Sequence, residues 1–297
     1  NGHRTVLLNS PGNRYRADFL HEIDSFKYYS TLVCNGDGKL AVPDDSQSNA
    51  FRILSGGASS IEFICAFSDS PLPAKLDDFR LTFKKCTRNW QDFWKSGGAI
   101  DLSGSTDPRW KELERRIVLS QYLLAVQSAG SFPPSEAGLM EVDPWRGQFH
   151  MEMTWWHLAH YGLWNRWSMA EDAIDCYRKF IPAAGELSRQ LGYKGLKWPK
   201  SVGPPEGRSA PWAGNQVLLW KQPHPIFFAE LEYRLRPGPV TLKKWSDIIE
   251  GTATHMADYA IYDAGAGVYH LDPVMPPSEQ GITRDAVFDL AYWRWGL

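Results

Sequence analysis

The stretch DPRWKELERRIVLSQYLLAVQSA, residues 107–129, decides the fold class of this 297-residue chain. Asp107 is a preferred N-cap residue, Pro108 suits the first helical position, and Glu112 is favoured in the first turn. Apolar residues then recur at a spacing of three or four, which is the period of a helix with one buried face. The pattern predicts a long helix that begins at Pro108 and ends near the end of this stretch.

The helical pattern continues beyond this stretch. Further helices, separated by loops rich in proline and glycine, are predicted near residues 151–166, 168–191, 223–235, 241–261 and 284–297. The loops between them are long, which is typical where loops build a site over a rigid scaffold. An all-helical domain over residues 107–297 is therefore predicted. The first residue is Asn1, not Met, and the last predicted helix is apolar and aromatic, so we expect a fragment or an incomplete helical barrel.

Residues 1–85 have a different pattern, in which short β-rich runs are separated by glycine-containing turns. The runs lie at residues 5–8, 27–33 and 60–67. They predict a β-sandwich-like segment, with residues 80–83 as its last strand. Residues 86–106 are interpreted as a linker. It contains a short helix at 89–94, and the Gly97-Gly98 pair that follows marks the boundary.

The composition excludes several classes of partner. The formal net charge is −2, so the chain has no basic surface of the kind that binds nucleic acid, and no apolar run is long enough to predict a membrane span. The four cysteines show neither a CxxC pair nor zinc-ligand spacing, and we interpret them as thiols. No cofactor or metal is implied. A secreted and a cytoplasmic location both stay open, and so does the oligomeric state.

The 14 tryptophans can pack a core or stack on sugar rings, so their positions matter. The stretch DPWRGQFHMEMTWWH, residues 143–157, is the richest in functional residue types. If a helix begins near residue 151, Glu152 and Trp156 share one face of it. We therefore predict that Trp145, Arg146, Glu152, Trp156 and His157 bind substrate. The alternative is that the tryptophans are core residues and His157 is a buried histidine with satisfied hydrogen bonds.

Two more loops carry candidate residues. Lys200, Gln222 and His224 lie in loops before a predicted helix, where they could hydrogen-bond sugar hydroxyls; the alternative is an ordinary charged connector. Pro-Pro-Ser precedes Glu279 in a rigid turn that presents one carboxylate. A glycosidase needs one carboxylic acid to protonate the leaving oxygen and, for hydrolysis, a second carboxylate. Glu279 is the predicted acid; a surface glutamate in a turn is the alternative.

Four motifs in this order are similar to those of a known family: WRGQFHME at 145–152, GYKG at 192–195 with WP at 198–199 and Glu206, QPH at 222–224, and PSE at 277–279. They resemble the sugar-binding and acid motifs of the six-hairpin (α/α)6 glycosidases, in particular the maltose phosphorylase, kojibiose phosphorylase and acid trehalase group. The resemblance covers about residues 85–297. Ser278 stands where that group carries Asp, and the residues before Glu152 differ from the group's aromatic-Asp pair.

The resemblance implies a mainly α fold, an (α/α)6 barrel preceded by a β-sandwich. It also implies an inverting glycoside hydrolase that cleaves O-glycosidic bonds of an oligosaccharide or glycoconjugate, with Glu279 as general acid. In that group the second carboxylate lies further beyond the acid than the 18 residues that follow Glu279. A glycoside phosphorylase, a non-catalytic carbohydrate-binding or truncated member, and a purely structural helical protein are the alternatives.

Overall fold

The structure is a computed structural model, and it describes residues 3–9, 15–35, 39–41, 51–57, 59–136, 148–203 and 206–297. The chain divides into two compact units, Asn1–Phe93 and Trp94–Leu297. The division falls inside the predicted linker, residues 86–106. No helix in the described ranges is both long and apolar enough to cross a membrane.

The first unit contains an antiparallel sheet. The strands of this unit are β1 His3–Leu7, β2 Arg16–Ile23, β3 Phe26–Asn35, β4 Lys39–Ala41, β5 Arg52–Leu54 and β6 Glu62–Ser68. Strands β1, β2, β3 and β6 form the sheet in that order, and β4 pairs with β5. The predicted strands at 5–8, 27–33 and 60–67 are thus confirmed. A second packed layer, which would make this unit a sandwich, stays a prediction.

The predicted strand at residues 80–83 is wrong, because these residues belong to helix α1, Phe79–Lys95. Asp78 begins the helix by accepting a hydrogen bond from the Leu81 backbone N–H at 2.8 Å. Within residues 80–83, Leu81 and Phe83 alternate with polar residues, which is also the pattern of a strand. Phe79 and Phe83 are also four residues apart, however, and their rings stack on one face of the helix, 6.1 Å between centroids. The predicted helix at 89–94 is the second half of α1.

The second unit is mainly helical. After α1 its helices are α2 Trp110–Ser128, α3 Thr154–Leu163, α4 Glu171–Ile174, α5 Cys176–Gln190, α6 Gly214–Val217, α7 His224–Leu235, α8 Pro239–Tyr259 and α9 Val287–Gly296, with a 3-10 turn at Trp167–Met169. These helices confirm the predicted helical pattern. Asp107 acts just before α2, where its carboxylate accepts from the Arg109 backbone N–H at 2.9 Å. The closure of a complete (α/α)6 barrel stays a prediction.

Short strands shape the loops between the helices. Strands β7 Phe149–His150, β8 Ser201–Gly203 and β9 Arg208–Ser209 form an antiparallel sheet, and β10 Ile261–Asp263 pairs with β11 Val268–His270. The pairing of β7 with β8 matters most, because it brings the start of α3 next to the loop after α5. Two of the predicted site segments therefore lie side by side.

A large apolar core holds these loops in place. Trp198, in the loop after α5, is 1% exposed and packs edge-on against Tyr177 of α5, with 5.1 Å between ring centroids. Its indole N–H donates to Thr252 of α8 at 2.9 Å. A second cluster packs Trp293 of α9 against residues of the α8 end and the following loops. The loops that carry the candidate residues are thus anchored to three helices.

Candidate active site

The ammonium group of Lys200 contacts two of the predicted site residues, Glu152 and Glu279. Lys200 is 8% exposed, its Nζ contacts Oε1 of Glu279, and it lies 3.4 Å from Oε1 of Glu152. Glu152 is 3% exposed, whereas the Glu279 side chain is about a third exposed. The three charges therefore run from the interior at Glu152 to the surface at Glu279.

Glu152 is positioned by the turn between β7 and α3. The Met151 backbone N–H donates to the Lys200 carbonyl at 2.6 Å, which continues the pairing of β7 with β8. His150, at the end of β7, places Nδ1 3.3 Å from Glu152 Oε1 and 3.1 Å from a Glu136 carboxylate oxygen. The expectation that Glu152 lies on a helix is wrong, because α3 begins at Thr154. Glu152 lies in the turn before α3, where Lys200 and His150 contact its carboxylate.

Glu279 lies at the tip of a loop that closes on itself. Val274 and Thr283 exchange two backbone hydrogen bonds of 2.7 and 2.8 Å across the base of the loop. At the tip, Glu279 has a φ of 56° and its backbone N–H donates to Pro276 at 2.8 Å. A left-handed φ at a residue other than glycine is uncommon and marks a position that its surroundings hold. The turn predicted from Pro-Pro-Ser therefore presents the carboxylate to Lys200.

The oxygen and the nitrogen of the Gln222 side-chain amide both form hydrogen bonds within the protein. It is fully buried; its carbonyl oxygen accepts from the Trp198 N–H at 3.0 Å, and its amide donates to the Leu196 carbonyl at 2.7 Å. These two bonds fix the backbone on both sides of Lys197, in the segment that continues to Lys200. In this structure Gln222, predicted to bind substrate, contacts backbone groups.

His224 also has both ring nitrogens engaged. Its Nε2 donates to the Glu152 carbonyl oxygen at 3.1 Å, which leaves Nδ1 to accept from the Tyr292 hydroxyl at 2.9 Å. Burial lowers the pKa of His224 to about 3, so the ring is neutral near pH 7. His224 therefore holds the backbone of Glu152 through its carbonyl oxygen.

The other two predicted residues on α3 lie elsewhere. Trp156 is 59% exposed and lines an apolar pocket of about 650 Å³ together with residues of α7 and α9. His224 borders this pocket too, but in the described part of the chain neither Lys200 nor its two carboxylates line it. His157 is half-buried, and its Nε2 donates to the Glu136 carbonyl at 3.2 Å. Burial lowers the pKa of His157. Trp145 and Arg146 lie outside the described residues.

Three further charged residues are buried close to this site. Lys197, Lys221 and Asp289 are at most 1% exposed, and within the described ranges no hydrogen-bond partner reaches their charged ends. Burial lowers the pKa of Lys221 to about 7 and raises that of Asp289 to about 6. Neither Lys197 nor Asp289 is predicted from the sequence as a site residue, because a charged residue is usually solvated. No group of three metal-ligating side chains is present among the described residues.

No family model matches the sequence, and no curated protein matches it. Among solved structures, the chain is similar to one described as "Putative kojibiose phosphorylase from human microbiome". The TM-score is 0.66 at 13% sequence identity, and the match covers 99% of this chain and 41% of that chain. The chain thus spans less than half the length of that protein. At this identity the similarity shows a common fold.

Proposed function

We propose that this chain belongs to a carbohydrate-active enzyme that cleaves O-glycosidic bonds, with Glu279 as the general acid. The observation that carries the proposal is the contact of one lysine, Lys200, with both Glu152 and Glu279. A sugar presents hydroxyl groups that both donate and accept, and carboxylates beside an ammonium group match both properties. The fold shared with a structure described as a kojibiose phosphorylase also supports it.

The gradient of burial gives the residues different roles. Glu152 is nearly inaccessible and accepts hydroxyl hydrogens of the sugar at the reacting subsite, while Lys200 donates to its oxygens. Glu279, nearer the surface, acts in its protonated form, after the sugar hydroxyls have taken over the Lys200 ammonium; it gives its proton to the oxygen of the leaving group as the glycosidic bond breaks and becomes the carboxylate. Trp145 and Arg146 are proposed to complete the subsite, as their motif indicates.

Gln222 and His224 act indirectly in this proposal. The Gln222 amide holds the backbone that leads to Lys200, and the His224 ring holds the backbone of Glu152. A catalytic constellation must be held within a fraction of an ångström of its productive geometry. These two buried side chains therefore position the charged residues, and they take this role in place of the sugar contact that the sequence predicts.

Hydrolysis and phosphorolysis differ in the nucleophile. An inverting hydrolase needs a second carboxylate to activate water, and its two carboxyl groups are about 6.5–9.5 Å apart. In a phosphorylase, inorganic phosphate attacks instead and no base is needed. We propose hydrolysis as the first candidate reaction. The phosphorylase is the second candidate, favoured by the description of the similar structure.

The test is the release of reducing sugar and of sugar phosphate from a panel of disaccharides and aryl glycosides, with and without phosphate. Glu279→Gln is compared with wild type and with Glu250→Gln, a control at an exposed glutamate on α8. We expect phosphate-independent release that falls at least about 100-fold in Glu279→Gln alone. Release only with phosphate would identify the phosphorylase. Sugar binding without any release would contradict the enzymatic proposal and favour a carbohydrate-binding protein.

A further inference from the structure

A half-exposed tryptophan that the sequence motifs do not include lies beside the charged residues. Trp212, in the loop between β9 and α6, is 41% exposed. The Nζ of Lys200 lies over its indole ring, 5.0 Å from the centroid. Because the same Nζ contacts Glu279, the indole and the proposed acid share one neighbour. The charged site therefore has an aromatic wall on its exposed side.

The loop of Trp212 is fixed to strand β8, which begins directly after Lys200. Asn215 is fully buried, and its side-chain oxygen accepts from the Ser201 backbone N–H at 2.8 Å. Its amide nitrogen donates to the Ala210 carbonyl at 2.8 Å, two residues before Trp212. One side chain thus ties both segments together. The distance between the indole and Lys200 is set by buried hydrogen bonds and does not depend on a loose loop.

The indole of Trp212 packs directly against Gly214. A Cβ added at Gly214 would lie 2.3 Å from the Cη2 and Cζ2 atoms of Trp212, closer than real Cβ atoms approach a neighbour. The benzo edge therefore rests directly on the Gly214 backbone, and a larger residue there would displace the ring. An exposed aromatic surface that is held in this way is preorganised to stack on a flat apolar ligand surface.

We propose that Trp212 forms the subsite for the leaving-group sugar, with the C–H face of that sugar ring stacked on the part of the indole that Lys200 leaves exposed. The inference rests on the proposed function. A general acid touches the glycosidic oxygen, so the leaving group lies next to the acid and away from the buried end of the site. Glu152 marks the buried end at 3% exposure, and Trp212 lies at the exposed end, beside the lysine that contacts Glu279. In this arrangement Lys200 donates to oxygens of the sugars on both sides of the glycosidic bond.

The test compares the binding of two probes by calorimetry, which needs no turnover. Deoxynojirimycin, an iminosugar of monosaccharide size, occupies only the reacting subsite, whereas kojibiose and maltose reach the leaving-group subsite too. In Trp212→Ala we expect the affinity for the disaccharides to fall at least about tenfold and that for deoxynojirimycin to change less than threefold. Trp212→Phe, which keeps a flat ring, should recover part of the loss, and Trp110→Ala, a control on α2, should change neither.

Gly214→Ala provides an independent variant, because it moves the indole without removing it. The same selective loss for disaccharides is expected, because the indole is displaced from its position beside Lys200. Equal loss of both probes in Trp212→Ala, or unchanged disaccharide binding, would overturn the subsite and leave the proposed function standing. If the wild-type chain binds neither probe, both the subsite and the proposed function are contradicted.

Discussion

Replacing Gln222 with Met removes two hydrogen bonds at a position that water does not reach. Methionine has a similar length and is apolar, so the substitution changes the hydrogen bonding with little change in volume. It leaves the Trp198 N–H and the Leu196 carbonyl without their partner. A buried polar group that loses its partner costs about 1–3 kcal/mol, so the two together should lower the free energy of unfolding by about 4 kcal/mol.

The intrinsic fluorescence of tryptophan is the appropriate probe for this change. Trp90 is the one tryptophan of the 14 that precedes residue 94, so the signal reports on the unit Trp94–Leu297. For a unit of this size, 1 kcal/mol corresponds to a shift of about 2–4 °C in Tm. We therefore expect the Tm of Gln222→Met to lie about 8–16 °C below that of wild type.

Gln190→Met is the matched control for this prediction. Gln190 is exposed at the end of α5, where its amide donates to Glu186 on the helix surface at 2.7 Å. Because water replaces that bond, the Tm should change by no more than about 2 °C. If Gln222→Met also melts within 2 °C of wild type, the two buried bonds do not hold the loop, and the positioning role of Gln222 is refuted.

Two further predictions concern stability. Burial lowers the pKa of His255 from its ordinary 6.5 to about 3, so below pH 6.5 the unfolded chain takes up a proton that the folded chain does not. This histidine should therefore reduce stability by about 1.4 kcal/mol per pH unit as the pH falls from 6.5, and urea midpoints of His255→Gln should depend less on pH between 7.5 and 5 than those of wild type. Gly195 has a φ of 73°, and a Cβ there would lie 2.3 Å from the Gly251 carbonyl oxygen. Gly195→Ala should cost at least about 3 kcal/mol in urea unfolding, whereas Gly192→Ala, with a φ of 83° and open space around it, should cost about 1 kcal/mol; equal costs would refute the close approach.

The helices of the second unit could be predicted because their apolar residues recur at helical spacing over long stretches. The first half of helix α1 is predicted wrongly for a physical reason. Phe79, Leu81 and Phe83 fit both an alternating and a helical pattern, and the structure has the helix, which the Asp78 carboxylate caps and the stacked Phe79 and Phe83 rings support. Local patterns of this length do not distinguish a strand from a helix.

The candidate site was predictable as a set of loops but not as a set of contacts. Lys200 and Glu279 are 79 residues apart in sequence, and no periodicity indicates that they meet. Gln222 and His224 have the side chains of sugar ligands, yet the loops fold back so that the Gln222 amide bonds to two backbone groups and the His224 ring bonds to the Glu152 carbonyl and the Tyr292 hydroxyl. Sequence gives the donors and acceptors available, whereas the packing of the chain decides which of them face inward.

The proposed function depends most on Glu279 as the group that protonates the leaving oxygen. The direct measurement is the turnover of two substrates by wild type and Glu279→Gln: a disaccharide, whose leaving group needs a proton, and the corresponding glycosyl fluoride, whose leaving group does not. If Glu279 is the general acid, the variant loses at least about 100-fold on the disaccharide and less than about tenfold on the fluoride. An equal loss on both substrates, or full activity of the variant on the disaccharide, would contradict it.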